Sequence, residues 1–370
     1  MSAHDVLVRG AAAVGLAAAL ALARQGLRVA LLGATPAGQG DREDVRAYAL
    51  NAASVELLRS LKVWDAIAAD ARTAVQDMHI EGDAAGAALD FSAWSQGLSE
   101  LAWIVDAAEL ERALQAAVTF APHVAIVTAE VDAALTVLAE GKDSTTRQRL
   151  GVQMARHSYG QRAIAARLLS EQSHGGLARQ WFRSPDVLAL LPLDRPRADH
   201  GLALVWSLPE ARADELMALP DAAFTHALMD ATGGAAGALT LASARSQWPL
   251  SLAQAQAVHG PGWVLVGDAA HVVHPLAGQG LNLGLADVAV LCQEIGARES
   301  WRGLGDPKLG ARYARRRRAP TWAMAQLTDG LVHLFAHPSP LARELRNRGL
   351  TLLNHLPPLK RLLTRRALGG

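Results

Sequence analysis

Residues 267–287 read GDAAHVVHPLAGQGLNLGLAD. Ahead of them, Trp263, Val264, Leu265 and Val266 form a short apolar run that predicts a buried strand ending at Gly267. Asp268 then stands at the C-terminal edge of that strand, which is where open parallel sheets bind ligands. Its carboxylate can accept hydrogen bonds from ligand hydroxyls. Downstream, Gly278, Gly280 and Gly284 let the backbone come close to a flat ligand, and a helix predicted from about Leu281 aims unsatisfied N–H groups at it. The plain alternative is a strand, a loop and a helix with ordinary turn glycines.

The N-terminus carries the second pointer. Residues 5–33 run DVLVRG, AAAVG, LAAALALARQG, LRVALL and Gly33, which predicts strand, glycine turn, alanine-rich helix and strand, the opening of a dinucleotide-binding fold. Gly10 makes the tight turn, and Gly15 permits close helix-to-strand packing beneath a pyrophosphate held at the helix N-terminus. Ala12 replaces the usual middle glycine and sets a methyl group where the backbone approaches phosphates, with Ala13 beside it. Gly33 ends the second strand, where an acid commonly holds the adenosine ribose. Arg9 reads as a surface arginine at the ligand-facing end of its strand, with positive charge near a pyrophosphate as the alternative.

A chain of 370 residues implies two domains, or one discontinuous domain with an insertion. With 51% hydrophobic and 19% charged residues and a net charge of +1, it is neither a disordered nor a polyanion-binding protein, so no nucleic-acid partner is expected. Cys292 stands alone, so an internal disulfide and a cysteine metal cluster are excluded, and on its apolar stretch it reads as core. The apolar run 11–23, with Arg9 before it and Ala21-Leu22-Ala23 at its end, imitates a secretory signal. It is shorter than the roughly 20 residues that span a bilayer, and no transmembrane helix is predicted. His271 and His274 offer too few ligands for a metal site. His271 reads as a satisfied structural histidine, and His274 with Pro275 as a candidate contact with substrate or cofactor.

The stretch 267–287 resembles the third flavin-binding motif of the class A flavoprotein monooxygenases, in the branch of the ubiquinone-biosynthesis hydroxylases, whose fold is like that of para-hydroxybenzoate hydroxylase. The resemblance implies FAD as cofactor and NAD(P)H as co-substrate. Asp268 would bind the ribityl chain, Gly267, Leu281 and Asn282 would be further cofactor contacts, and the loop from Pro275 to Gly280, with Gly278 and Gln279, would lie along the isoalloxazine. Its backbone N–H groups would stabilise charge there as an oxyanion hole does. Gly10, Ala12, Ala13 and Gly15 would flank the pyrophosphate. Residues 44–50, DVRAYAL, also match, which implies that the forked guanidinium of Arg46 reaches the pyrophosphate. Ala139-Glu140-Gly141, followed by Ser144, Arg147 and Leu150-Gly151, resembles the family's Asp-Gly motif with Glu140 in place of aspartate. That motif implies contact of Glu140 and Gly141 with FAD and the pyridine nucleotide.

The implied fold is α/β. A discontinuous Rossmann-like FAD domain would take residues 1–74, 99–157 and 258–318, an antiparallel-sheet substrate domain 75–98 and 158–257, and a C-terminal helical region 319–370. Between Leu110 and Ala139 only two short strands fit, 124–127 and 135–138, so the β-meander usual in the family is trimmed. From 159 to 208 the runs QRAIAARLL, ARQWFR, VLALLPL and GLALVWSL alternate with turns, which predicts an antiparallel sheet with one buried face. Gln180, Trp181, Phe182, Leu190 and Trp206 could line a substrate pocket, but core is the preferred reading. RRRR at 315–318 and the end LLNHLPPLKRLLTRRALGG read as solvated helix faces, with a membrane-surface or partner-binding element as the functional alternative.

The activity implied is an FAD-dependent monooxygenase that hydroxylates the ring of a lipophilic, polyprenylated phenol in ubiquinone biosynthesis with NAD(P)H and O2. The cofactor carries the difficult chemistry, so no triad or paired carboxylate is required. The alternative is a degenerate scaffold of a ubiquinone-biosynthesis complex with weak or no FAD binding, motivated by Ala12, Gly33, Glu140 and the trimmed edge. The implied location is cytoplasmic, with peripheral contact to the inner membrane face or to other ubiquinone-biosynthesis proteins as a further expectation.

Overall fold

A computed structural model describes residues 4–33, 44–83, 86–273 and 279–336. The N-terminal unit folds as β1 (His4–Arg9), α1 (Ala13–Ala23) and β2 (Val29–Leu32). Val6, Leu7 and Val8 are apolar on consecutive positions and buried on both faces, as parallel strands between helical layers are. β1 pairs in parallel with β2 on one side (Val6 opposite Val29) and with Ala133–Leu138 on the other (Val6 opposite Leu135). Val124–Val127 adds to β2, Trp263–Leu265 adds to Ala133–Leu138, and His259–Gly260 closes a six-stranded sheet. Both strands expected in the trimmed stretch are therefore present. The chain leaves β1 in both directions, so the carboxyl ends of β1 and its neighbours border a crevice.

The sequence of α1, AVGLAAALALA, is apolar all round, and a helix of that kind must be covered on every side. Ten of its 11 residues are buried. It is enclosed by the sheet and by the helices Ala107–Thr119 and Gln279–Gly296. Small side chains make that possible, and a Cβ at Gly284 would stand 2.6 Å from a methyl of Val14.

The second half of the core is a nine-stranded, mostly antiparallel sheet built around the long strand Met154–Ser170 and its partners Gly201–Pro209 and Ser246–Ala255. The strands Asp77–Glu81 and Ala88–Ser92 extend its far edge. Period-two alternation sends Ile164, Ala166, Leu168, Trp181, Leu190 and Trp206 to one face, where they pack with the side chains of the helices Glu210–Ala218 and Asp221–Thr232. Trp181 and Trp206 are thus core, 0% and 1% exposed. Phe182 points to the other face, against Leu89. A three-stranded antiparallel sheet, Ala47–Leu50, Ala102–Asp106 and Arg72–Val75, completes the set.

The helix Pro307–Ala336 packs on Gln279–Gly296. It corrects the reading of residues 315–318 as one solvated face, because a helical period cannot send four consecutive side chains the same way. Arg317 turns inward and is buried, Arg316 pairs with Glu294, and Arg315 and Arg318 face out. Among the described residues no helix is long and apolar enough to cross a membrane. The amphipathic end, 352–370, lies outside the described residues.

Candidate functional site

The stretch that begins at Gly267 crosses from one sheet to the other. Trp263–Leu265 belongs to the parallel sheet, whereas His271–Val272 pairs with Ala253 and Gln254 of the antiparallel one. Gly267 makes the corner with φ +59°, a conformation that favours glycine. The residues around Asp268 are fastened from behind. The Tyr313 hydroxyl donates to the carbonyl of Leu265 at 2.8 Å, Val266 N–H to Leu138 at 3.0 Å, and Gly267 N–H to Asp287 Oδ2 at 2.9 Å. Arg147 Nη1 donates to the carbonyl of Ala269 at 3.0 Å, and Ala255 N–H to that of Ala270 at 2.8 Å. His271 Nε2 lies 2.7 Å from Asp287 Oδ2, which makes it the satisfied structural histidine expected.

Asp268 differs from these neighbours. Its carboxylate has no hydrogen-bond donor among the described residues. The residue is exposed, yet enough protein surrounds it that desolvation pushes its carboxyl above the ordinary range, against the opposing charges of Lys142 and Arg46. Accessible to solvent but crowded is the condition of a group on the floor of a cleft.

Arg46 and Tyr48 form the facing wall. Arg46 is held in a fork by Asp44, Nε to Oδ1 at 2.8 Å and Nη2 to Oδ2 at 2.6 Å. Its carbonyl accepts from Arg167 at 2.5 Å, and Arg167 also reaches Asp106 at 3.0 Å. The Arg46 guanidinium lies 5.7 Å from the Tyr48 ring centroid. Burial pushes the Tyr48 hydroxyl up to about 12, and the nearby carboxylates of Glu111, Asp44 and Asp268 push the same way. At the end of the cleft α1 follows Ala12, whose side chain cannot cap it; Glu111 accepts from the Ala13 N–H, and the next first-turn N–H groups point at the cleft without a side-chain cap from Ala12. A carboxylate without a donor among the described residues, a forked guanidinium and a helix N-terminus around one cleft fit a ligand that carries both hydroxyls and a pyrophosphate, as FAD does.

Two of the expected site residues are committed elsewhere. Glu140 Oε1 accepts from Arg9 Nε at 2.9 Å and from Thr146 Oγ1 at 2.8 Å, and its Oε2 accepts from Ser144 Oγ at 2.5 Å. Burial would push this carboxyl up, but the hydrogen bonds from Ser144, Arg9 and Thr146 outweigh it and hold the group below the ordinary range. Arg9 also pairs with Glu130 at 2.8 Å and is only 9% exposed, which corrects its reading as a surface arginine. Asn282 is likewise buried. Its Nδ2 donates to the carbonyl of Ala49 at 2.7 Å, and its Oδ1 accepts from Asn51 N–H at 3.0 Å and Ser54 Oγ at 2.7 Å. Glu140 braces two strand ends, and Asn282 ties the glycine-motif helix to the Tyr48 strand.

A family profile described as an FAD binding domain matches residues 3–126 and 115–328. A ubiquinone hydroxylase of Rhodospirillum rubrum is 32% identical over 393 residues, covering 99% of this chain and 89% of that protein. The chain belongs to this FAD-binding family, with the ubiquinone hydroxylases. The 3-demethoxyubiquinol 3-hydroxylase of Escherichia coli is 30% identical over 391 residues, covering 99% of this chain and 98% of that one. Among solved structures, p-nitrophenol 4-monooxygenase of Pseudomonas putida shares the fold with a TM-score of 0.77 at 18% identity, over 99% of this chain and 98% of that one.

Within this flavin monooxygenase fold the expected glycines have separate reasons. A Cβ at Gly15 would stand 1.9 Å from the Gly10 carbonyl oxygen, and one at Gly10 would stand 2.3 Å from that of Ala139, so the packing of the protein on itself requires both. At Gly280 and Gly141 a Cβ would meet no described protein atom within 4 Å. Gln279, Gly280 and Leu281 open the helix Gln279–Gly296, which starts two residues before the expected Leu281. His274, Pro275 and Gly278 lie outside the described residues.

Sequence reading passed over Asp287, Arg317, Tyr48 and Glu111. For Asp287 the available signal was an acid inside the apolar run LGLADVAVL, since a carboxylate there is buried and must be paired. Glu111 lies on the amphipathic helix Ala107–Thr119, within reach of the Ala13 N–H and of Arg46. Burial pushes its carboxyl above the ordinary range, and Asp44 adds to the shift. A pyrophosphate at the α1 N-terminus would add more negative charge beside it and raise it further. The repulsion from Glu111 is therefore absent while it is protonated, and its cost to FAD affinity is expected to appear as pH rises through that raised value. Glu111→Gln is expected to tighten FAD about two- to fivefold at alkaline pH and to flatten this dependence. A titration showing neither change would place Glu111 away from the pyrophosphate.

Proposed function

We propose that this protein is an FAD-dependent monooxygenase that uses NAD(P)H and O2 to hydroxylate the aromatic ring of a polyprenylated phenol in ubiquinone biosynthesis. The observation that carries the reading is the Asp268 carboxylate, without a hydrogen-bond donor among the described residues, facing Arg46 at the carboxyl edge of a dinucleotide-type sheet, in a chain that ubiquinone hydroxylases match from end to end. Bound FAD would supply O2 activation and oxygen transfer once NAD(P)H has reduced it. Asp268 would accept from the ribityl hydroxyls. Arg46 and the α1 N-terminus, from Ala12 and Ala13, would hold the pyrophosphate, and the backbone of the segment reaching Gly280 would serve the flavin ring. His274 and Pro275 remain the candidates for contact with the reacting ring. A scaffold without cofactor would have no use for an open, desolvated carboxylate opposite a fixed guanidinium.

The division into an FAD part (1–74, 99–157, 258–318) and a substrate part (75–98, 158–257) belongs to this reading. Its support is the face of the large sheet opposite the two helices. There Arg167 reaches Arg46, and the pairs Ala165–Val205 and Ala189–Val205 lie on the same face. Small side chains would leave room for a phenol ring above that floor. The prenyl tail implies contact with a bilayer. Between Pro307 and Thr328 the sequence has no acidic residue, and Arg315, Arg318 and Trp322 are exposed on successive turns, Trp322 by 58%. That stripe suits an anionic lipid surface.

NADPH oxidation by the flavin-loaded protein is expected to accelerate when a short-prenyl phenol is added, with a ring-hydroxylated product formed in proportion. Absence of both stimulation and product would refute the assignment. The same preparation is expected to sediment with phosphatidylglycerol vesicles and not with phosphatidylcholine vesicles. Equal behaviour with the two would remove the membrane part alone.

A further inference from the structure

We propose that the helix Pro307–Ala336 is a latch on the cofactor site, with Tyr313 and Arg317 as positioning residues that act on Asp268 through Asp287. The proposal rests on the assignment of FAD to the Asp268 cleft. Tyr313 and Arg317 are four residues apart on one helix and so share its inner face. Both are buried. The Tyr313 hydroxyl donates to the Leu265 carbonyl at 2.8 Å, on the strand that leads into Asp268. Arg317 Nε donates to Asp287 Oδ1 at 2.5 Å, and its Nη2 to the carbonyl of Leu283 at 3.2 Å.

Asp287 is the hinge of the arrangement. It is 0% exposed, and its Oδ2 receives both Gly267 N–H, at 2.9 Å, and His271 Nε2, at 2.7 Å. One oxygen therefore holds both ends of the turn that presents Asp268, while the other is held by a cation from a distant helix. A carboxylate this deep is stable as an anion only while it is paired and hydrogen-bonded. Without the guanidinium its affinity for a proton rises, and a protonated carboxyl is a weaker acceptor for Gly267 N–H. The turn then loses one anchor and Asp268 its fixed direction. Linkage is reciprocal, so a ligand that requires Asp268 in place must also favour the seated helix. The outer face of the same helix shows Arg315, Arg318 and Trp322 to solvent, so whatever binds that face also bears on the turn.

Hydrogen exchange of the whole chain, with and without FAD, tests the latch. In the wild type, FAD is expected to slow exchange in residues 307–326, although none of them is assigned a contact with it. Arg317→Met is expected to raise the Kd for FAD on the order of tenfold and to erase that protection. Arg317→Lys should recover part of both. If Arg317→Met lowers the melting temperature of the apoprotein but leaves the FAD Kd and the FAD-dependent protection intact, the pair is only structural and the proposal is overturned. If that variant does not fold, the wild-type exchange decides, and no protection of the helix by FAD overturns the latch. Asp268→Ala, measured alongside, separates the two claims. An unchanged Kd in Asp268→Ala refutes the cofactor assignment itself, whereas a weakened Asp268→Ala with a normal Arg317→Met refutes the latch alone.

Discussion

Asp268→Ala is expected to yield a folded protein that no longer retains FAD through purification. The carboxylate has no hydrogen-bond donor of its own among the described residues, so its acceptor capacity is available to a ligand. Each hydrogen bond to a charged group contributes about 1.5–3 kcal/mol, and losing two of them weakens binding by about a hundredfold or more. Stability should move the other way. Desolvation raises the carboxyl of Asp268 above its unfolded value, so the fold disfavours the ionised form. That penalty is absent below the unfolded pKa and complete above the raised one, so at neutral pH the apo variant should melt at or above the wild-type temperature. Equilibrium titration with FAD, together with apoprotein melting curves, reads both effects. An FAD affinity equal to the wild type's would remove Asp268 from the site.

Arg46→Ala should be the second largest loss, about 1.5–3 kcal/mol of FAD affinity, or roughly ten- to 150-fold. Arg46 is preorganised, since Asp44 fixes its fork and Arg167 holds its carbonyl, so little side-chain entropy remains to be lost when a phosphate arrives. Lysine cannot reproduce the fork, and Arg46→Lys should recover only a minor part. The loss should also shrink at high salt, because the contribution is electrostatic and the residue is partly exposed. An unchanged flavin titration would put Arg46 in solvent, paired only with Asp44.

Local patterns made much of this legible in advance. The apolar run before Asp268, the glycine turn of β1 and the alternating strands after Tyr159 each encode their structure within a few residues, and each occurs where it was expected. Contacts across long stretches of sequence leave no such trace. Nothing near Arg317 announces Asp287, 30 residues earlier, and its neighbours in the arginine run go to different faces. Arg9 looked exposed because Glu140, 131 residues away, cannot be foreseen at the end of β1. The departures read as weaknesses also change meaning. Gly33 takes φ +96°, where a side chain would be strained, and Glu140 in place of aspartate reaches Arg9, Ser144 and Thr146. Glu140 stabilises the frame of the cleft, Gly33 meets a backbone demand at the end of β2, and neither by itself argues for a lost cofactor.

FAD is expected to bind in the cleft between Asp268 and Arg46. The most direct measurement is the visible absorption spectrum of the purified protein, followed by quantification of flavin released on denaturation. A yellow protein with stoichiometric FAD, lost in Asp268→Ala, is the predicted result. A colourless, fully folded protein that takes up no added FAD would contradict it.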